Sequence, residues 1–241
     1  MTSDVAANLS LIESRIQLAC ARAGRARDQV RLLPVSKTKP PSSVQEAYDV
    51  GYRRFGENKV QEAEEKYEAL QGLPGIEWAV IGHLQSNKAR VLARFAAEFQ
   101  ALDSLKLAIE LDRRLESEDR TLDVLIQVNS SAEPQKFGID PIDAVQFARD
   151  VRSCERLQVK GLMTLAVFSS DVERVAPCFK LMTDVQRRLR EVDGGGWDEL
   201  SMGMSGDFEL AIAHGATCVR VGQAIFGNRL DPNAYWPGLA G

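Results

Sequence analysis

"RLLPVSKTKPPSSVQEAYDVGYRRFG", residues 31–56, decides how the rest of the chain is read. A short apolar run at 31–36 breaks on Lys37, Lys39 and two prolines, a stretch of helical period follows over 43–51, and a second short run occupies 52–56. Ser43 and Glu46 have the spacing of a capping box, so the helix is expected to start beside them, and Gly51 stands where helix must turn back to strand. Strand, helix, strand is the unit of a parallel sheet, since parallel neighbours need a crossover about that long.

The same alternation continues downstream. Runs rich in Val, Ile and Leu at 76–81, 98–102, 122–128, 157–163, 198–202 and 217–221 are interleaved with helical stretches at 58–70, 86–96, 104–117, 141–153, 171–191 and 206–214. Upstream, Val5, Leu9, Ile12, Ile16, Ala19 and Ala23 step by three or four, and Gly24 is placed to close them as a C-terminal cap. Eight strand–helix alternations within about 250 residues predict a single (β/α)8 TIM barrel. Residues 1–241 are accordingly read as one domain, with a leading helix over 1–24 packed outside the barrel. A doubly wound dinucleotide-binding sheet is disfavoured, because no G-x-G-x-x-G follows the first strand.

Composition narrows the function classes. Thirty basic residues face 34 acidic ones, a formal charge of -4, and no Lys/Arg block is present to follow a phosphate backbone, so nucleic acid is not expected as a partner. Cys20, Cys154, Cys178 and Cys218 form no C-x-x-C pair, which speaks against a zinc site or a disulfide scaffold and for a reduced setting. The N-terminal stretch lacks a basic segment followed by an apolar one, and no apolar run approaches the ~20 residues that span a bilayer. The expectation is a cytoplasmic protein without membrane association.

In a barrel of this kind the chemistry gathers on the loops after the strands, where eight chain segments converge on one mouth. Those positions hold Lys37; Glu57 and Asn58 in "FGENKVQEA"; His83, Gln85 and Asn87 in "IGHLQSNK"; Asp103; Gln127 and Asn129; Met163 and Thr164; and the loops "SMGMSGD" and "VRVGQAIFG". Gly203, Ser205, Gly206, Gly222 and Gln223 suit a phosphate site, although Ser205 equally suits a helix N-cap and Asp207 weighs against an anion. Arg220 lies between Val219 and Val221, so alternation turns it into the barrel, where it needs a partner: a ligand, or an acid such as Glu57 or Asp207. By the same period Lys37 shares a face with Leu33 and Val35. If that face is the interior, the amine stands partly desolvated near another cation, conditions that favour the free base needed to attack a carbonyl. Taken alone, Lys37 remains open between a solvated loop residue, a phosphate anchor and a nucleophile.

With Lys37, Asn58, "GHLQSNK", "SMGMS" and "RVGQAIFG" in place, the chain resembles the pyridoxal phosphate homeostasis protein family, single-barrel proteins of the alanine racemase-like fold type. The likeness runs from about residue 8 to 230, with the motifs in order at barrel strand ends. It implies pyridoxal 5'-phosphate as cofactor, held by Lys37 as a Schiff base. It also implies phosphate contacts from Ser205 and the backbone near Gly206, Gly222 and Gln223, Arg220 facing the pyridine nitrogen, and Asn58 and Met204 beside the ring. Two residues depart from the family pattern: Gln223 replaces a small hydroxyl residue, and Val167 in "GLMTLAV" replaces a proline.

An arginine opposite the ring nitrogen disfavours its protonation and weakens the cofactor as an electron sink. A racemase also needs a second acid or base across the substrate, and the chain runs only some twenty residues past the eighth strand. Tyr48, Tyr52, Tyr67 and Tyr235 all fall on helices, at a strand start or in the tail. The resulting expectation is a non-catalytic carrier that binds pyridoxal phosphate and delivers it to apo-enzymes, as a monomer or weak dimer. A minimal amino-acid racemase and a cofactor-free class I aldolase are the alternatives. His83 and His214 are read as structural, and Trp78, Trp197 and Trp236 as core or tail packing.

Overall fold

Alternating side chains along short parallel strands sort this molecule into an inner and an outer core. The computed structural model describes residues 4–227. Its strands are β1 (Arg31–Pro34), β2 (Arg54–Glu57), β3 (Glu77–Val80), β4 (Glu98–Leu102), β5 (Leu122–Gln127), β6 (Leu157–Met163), β7 (Glu199–Ser201) and β8 (Cys218–Val221). They form one sheet in the order β1-β8-β7-β6-β5-β4-β3-β2. Closure between β1 and β2 comes from the parallel bridge Val35–Gly56, where the Ser36 N–H donates to the Gly56 carbonyl at 3.0 Å. This is the eight-stranded barrel that the alternation predicts.

The helices are α1 (Val5–Arg22), α2 (Pro41–Asp49), α3 (Val60–Leu70), α4 (Ala89–Phe95), α5 (Leu105–Ser117), α6 (Ala144–Val151), α7 (Val172–Asp193), α8 (Phe208–Ala213) and α9 (Gln223–Phe226). Leu33, Val35, Ala79, Ile81 and Cys218 point inward and form a small core of their own. Their strand neighbours Leu32, Phe55, Trp78, Val80, Val219 and Val221 point outward into the larger core shared with the helices. Alternation therefore fixes which side chains reach the barrel axis.

Helix α1 packs outside, against α2, α8 and α9. Asp4 caps it by accepting the Ala7 N–H at 2.9 Å, and its stripe Val5, Leu9, Ile12, Ile16 and Ala19 is buried. Asn8 Nδ2 donates to the Ile225 carbonyl at 2.8 Å, and Arg15 pairs with Glu209 at 2.6 Å. Gly24 and Gly51 take the positive φ values, 67° and 107°, that their places after α1 and α2 require.

Several boundaries differ from the sequence reading. Helix α2 begins at Pro41 with Pro40 as N-cap, so Ser43 is already inside the first turn and no capping box forms; proline suits the first position because its missing N–H has no intrahelical partner there. The 86–96 stretch divides into a 3-10 turn, Ser86–Lys88, and α4. Trp78 and Trp197 are core residues as expected, the latter with its carbonyl accepting from Gln186 Nε2 at 2.6 Å. Tyr235 and Trp236 lie outside the described residues. Among the described residues the four cysteines are buried and unpaired, and no helix is long and apolar enough to cross a membrane.

Candidate functional site

The mouth is built from the C-terminal ends of the strands, and its firmest component is Arg220. Val219 and Val221 face the helices and send Arg220 inward, where it is 3% exposed. Its guanidinium donates to Ser201 Oγ at 2.6 Å and to the Thr164 carbonyl at 2.7 Å. Ser201 Oγ in turn donates to Gln100 Oε1 at 2.7 Å. Both direct partners are neutral. Glu57 is committed to Lys66 and Ser36, and Asp207 accepts the Met204 N–H at 2.6 Å, so neither acid pairs with Arg220 as the internal salt-bridge alternative required. Burial pulls the arginine below its usual range, against the attraction of Cys218, Asp207 and Glu98. A buried cation contacted only by dipoles retains capacity for an acceptor from a ligand.

Strand β1 lies directly beside β8, with Leu33 paired to Arg220. Leu33 and Val35 are interior, Ser36 turns outward to donate its hydroxyl to Glu57 at 2.6 Å, and Lys37 follows, half-buried. Behind this strand end sits a cluster that the sequence pattern did not reveal. Lys66, on α3 and 3% exposed, donates to the Ser36 carbonyl at 2.7 Å, to Glu57 at 2.6 Å and to Glu62 at 2.8 Å. Burial pushes the Glu57 carboxyl up to about 7 despite the Lys66 ammonium beside it. The one available signal was spacing: Lys66 lies three residues after the buried Ala63 and four before the buried Leu70, on the core stripe of α3.

The loops after β7 and β8 adjoin. Arg220 N–H donates to the Gly203 carbonyl at 3.0 Å. Gly203 has φ +92°, and a Cβ there would stand 2.6 Å from that of Ala211. At Gly222 a Cβ would lie 2.9 Å from the Val35 carbonyl, so β1 and β8 meet closely only because this residue has no side chain. Among the described residues the N–H groups of Ser205, Gly206 and Gly222 donate to nothing, and neither does the Ser205 hydroxyl. Ser205 therefore does not cap α8; Asp207 occupies the N-cap position. Gln223 is exposed at the start of α9, a helical turn beyond the last stretch predicted, and Met204 is half-buried. The open N–H groups of Ser205, Gly206 and Gly222 on these adjoining loops are of the kind that suits an anion.

Asn58 follows β2, the strand bridged to the end of β1, and is half-buried; its side-chain amide has no partner among the described residues. His83, after β3, stacks on Phe137 with ring centroids 3.8 Å apart and lies 3.6 Å from Asp103. Burial raises the Asp103 carboxyl above its usual range. Gln127 donates to the Phe137 carbonyl at 3.0 Å, and Asn129 to that of Glu133 at 3.0 Å, which folds the loop after β5 over this side. His214 ends α8 and tilts against Phe179 in the outer layer, a structural position as expected. Among the described residues no group of His, Cys, Asp and Glu is arranged to hold a metal.

Comparison with known proteins gives concordant results. The sequence profile of the alanine racemase N-terminal domain matches residues 7–230. The pyridoxal phosphate homeostasis protein of Aquifex aeolicus (strain VF5) is 40% identical over 221 residues, covering 92% of this chain and 96% of that protein. Its namesake from Escherichia coli (strain K12) is 40% identical over 233 residues, with coverage of 94% and 97%. Among solved structures, PipY of Synechococcus elongatus PCC7942 with PLP bound has a TM-score of 0.79 at 36% identity, covering 90% of this chain and 100% of that one.

Proposed function

We propose, from the premise that the chain belongs to the alanine racemase N-terminal domain family and within it to the pyridoxal phosphate homeostasis proteins, that it binds pyridoxal 5'-phosphate in the barrel mouth and holds it reversibly for delivery. The observation that carries this is the buried Arg220, whose hydrogen-bond partners among the described residues are neutral oxygens, on β8, the strand paired with β1, three residues beyond which stands Lys37. Such an arrangement fits a flat ligand with a carbonyl at one side and a neutral ring nitrogen at the other. The cofactor supplies an aldehyde that condenses with amines and a ring able to draw electrons from the attached carbon. Lys37 Nζ would supply the lone pair for a C=N bond, with the aldehyde oxygen leaving as water. Arg220 would serve the ring nitrogen as a donor and disfavour its protonation. Ser205 and the N–H groups at Gly206, Gly222 and Gln223 would hold the phosphate, with Asn58 and Met204 beside the ring.

A ring nitrogen held unprotonated suits storage better than carbanion chemistry, which supports a non-catalytic carrier; a cytoplasmic location and delivery to apo-enzymes are parts of the same proposal. The experiment is a spectrum followed by an assay. The protein mixed with pyridoxal phosphate is expected to turn yellow and to become fixed at Lys37 by borohydride, with no inversion of alanine or other amino acids in a chiral assay. Inversion at ordinary enzymatic rates sinks the carrier reading, and absence of a Lys37 adduct sinks the binding mode.

Two further outcomes follow from the geometry. Arg220→Gln is expected to retain the Lys37 adduct but to change its absorption, because the nitrogen loses a charged donor; an unaltered spectrum and affinity would count against this placement. Ser205→Ala is expected to weaken cofactor retention by about 1–2 kcal/mol, the scale of one hydrogen bond to a charged group. Equilibrium dialysis checks it, and equal affinity for both proteins removes Ser205 from the phosphate site.

A further inference from the structure

A feature at the end of β1 calls for a physical cause: Thr38, the residue after Lys37, has φ +65°. A β-branched residue in the left-handed region persists only where its surroundings hold it there. The holding contacts come from one cluster. Glu62, on α3, accepts the Thr38 N–H at 2.5 Å, while Lys66, one helical turn further along, grips the Ser36 carbonyl at 2.7 Å and Glu62 itself at 2.8 Å. Glu57, on β2, completes the cluster by accepting from both Lys66 and the Ser36 hydroxyl at 2.6 Å. The backbone is thus fixed immediately before and immediately after Lys37, by side chains on the outer side of the strand.

We infer that Lys66, Glu57 and Glu62 are positioning residues for Lys37: they clamp the peptide units on either side of it, so that its amine is presented to the mouth in a reactive orientation without touching the ligand themselves. The burial supports this assignment. A lysine 3% exposed and a glutamate fully buried carry a large desolvation cost, and hydrophobic residues of similar size commonly serve stability as well or better. Glu57 Oε2 also has no hydrogen-bond partner, so the cluster is not built for greatest hydrogen-bond satisfaction. What it does achieve is orientation of the Ser36 and Thr38 peptide units.

The inference rests on Lys37 being the amine that bonds the ligand, and the test separates the two. Pyridoxine 5'-phosphate has the same ring and phosphate with an alcohol in place of the aldehyde, so it reports the pocket without the covalent step. Glu62→Ala removes the hold on Thr38; the double variant Glu57→Gln/Lys66→Met removes both buried charges together and leaves neither unpaired. In each, the rate at which pyridoxal phosphate becomes borohydride-fixable at Lys37 is expected to fall by about ten- to a hundredfold, the cost of displacing a reacting group by about an ångström. Affinity for pyridoxine 5'-phosphate is expected to stay within about twofold, since the ring and phosphate contacts lie elsewhere. An unchanged fixation rate in folded Glu62→Ala overturns the inference, as does a proportionate loss for both ligands, which marks general damage to the site. Glu62→Ala carries the test alone if the double variant does not fold. Wild-type protein that cannot be fixed at Lys37 refutes the parent reading instead.

Discussion

Lys37→Ala is expected to give a protein that stays colourless with pyridoxal phosphate, yields no borohydride-stable adduct, and binds the cofactor at least about a hundredfold more weakly, or ~2.8 kcal/mol at 1.4 kcal/mol per decade. The size follows from what is removed. On the proposed binding mode Arg220 stays in place, as do the N–H groups at Ser205, Gly206 and Gly222 and the Asn58 amide, which have no acceptor among the described residues, so non-covalent contacts to phosphate and ring are expected to persist. Only the proposed covalent C=N bond would be lost, and with it the slow step of release. The fold is expected to be affected by less than about 0.5 kcal/mol, because Lys37 is half-buried at a strand end outside the packed core. Absorption titration together with thermal unfolding separates these effects. A yellow, borohydride-fixable Lys37→Ala protein places the carbonyl on another amine, Lys39 being the next along the chain.

What could be read beforehand was whatever depends on local periodicity. Strands β4 and β6 fall on the residues expected, 98–102 and 157–163, because each is a short stretch set between two helical stretches whose periodic ends limit it. The inward direction of Arg220 followed from Val219 and Val221 alone, and the structure places those two in the outer core. Helix α2 was misplaced at its start because Ser43 and Glu46 imitate a capping box, while the actual start uses Pro40 and Pro41, whose stiffness outweighs a side-chain cap. Ser205 was legible as either a cap or an anion contact, and the choice depended on where Asp207 turned, which spacing cannot specify. Lys66 and the cluster around Ser36 escaped entirely. A lysine on a helix is usually solvent-facing, and its burial is set by Glu57 and Glu62 from the strand before α3 and from α3 itself, after the barrel has brought them together. Lys66 does lie on the core stripe of α3, but periodicity does not say that the stripe holds a paired charge there, whereas strand alternation does give the direction of Arg220.

The same limit applies to the lower rim of the barrel, where Glu98→Ala is expected to destabilise the protein by about 3 kcal/mol. Glu98 starts β4, is 2% exposed, and is gripped by Arg31 at 3.0 Å and Arg54 at 2.6 Å, with Gln100 donating as well. Arg31 also holds Glu199 at 2.8 Å and Arg54 holds Glu77 at 2.7 Å, so strand starts from β1, β2, β3, β4 and β7 are tied together at the end of the barrel opposite the mouth. Burial by itself would raise the Glu98 carboxyl, but the two guanidiniums and their hydrogen bonds outweigh it and hold the group below its usual range. Alanine leaves both arginines without their shared acceptor in a partly dry site; because each retains an outer carboxylate and some solvent contact, the loss belongs at the low end for broken buried pairs. The sign of the pH dependence follows. A carboxyl with a depressed folded pKa stabilises the fold fully above its unfolded value of about 4.3, and this contribution disappears as pH falls through the lower folded value. Wild type is therefore expected to lose stability on acidification below about pH 4 more steeply than Glu98→Gln, which is already missing that contribution at neutral pH. Urea unfolding at pH 7 and at pH 3.5 reads both, as a shift in midpoint at unchanged slope. A Glu98→Ala midpoint equal to that of wild type at pH 7 would mean that the rim ions are hydrated and bear no load. Cofactor uptake measured on the same variant is expected to match wild type, since the rim and the mouth are separated by the length of the strands and, among the described residues, are joined by the hydrogen-bond path Glu98–Gln100–Ser201–Arg220. That path makes Gln100 and Ser201 the links through which damage below is expected to reach Arg220, and a spectral change in Glu98→Gln, with affinity intact, is its expected trace.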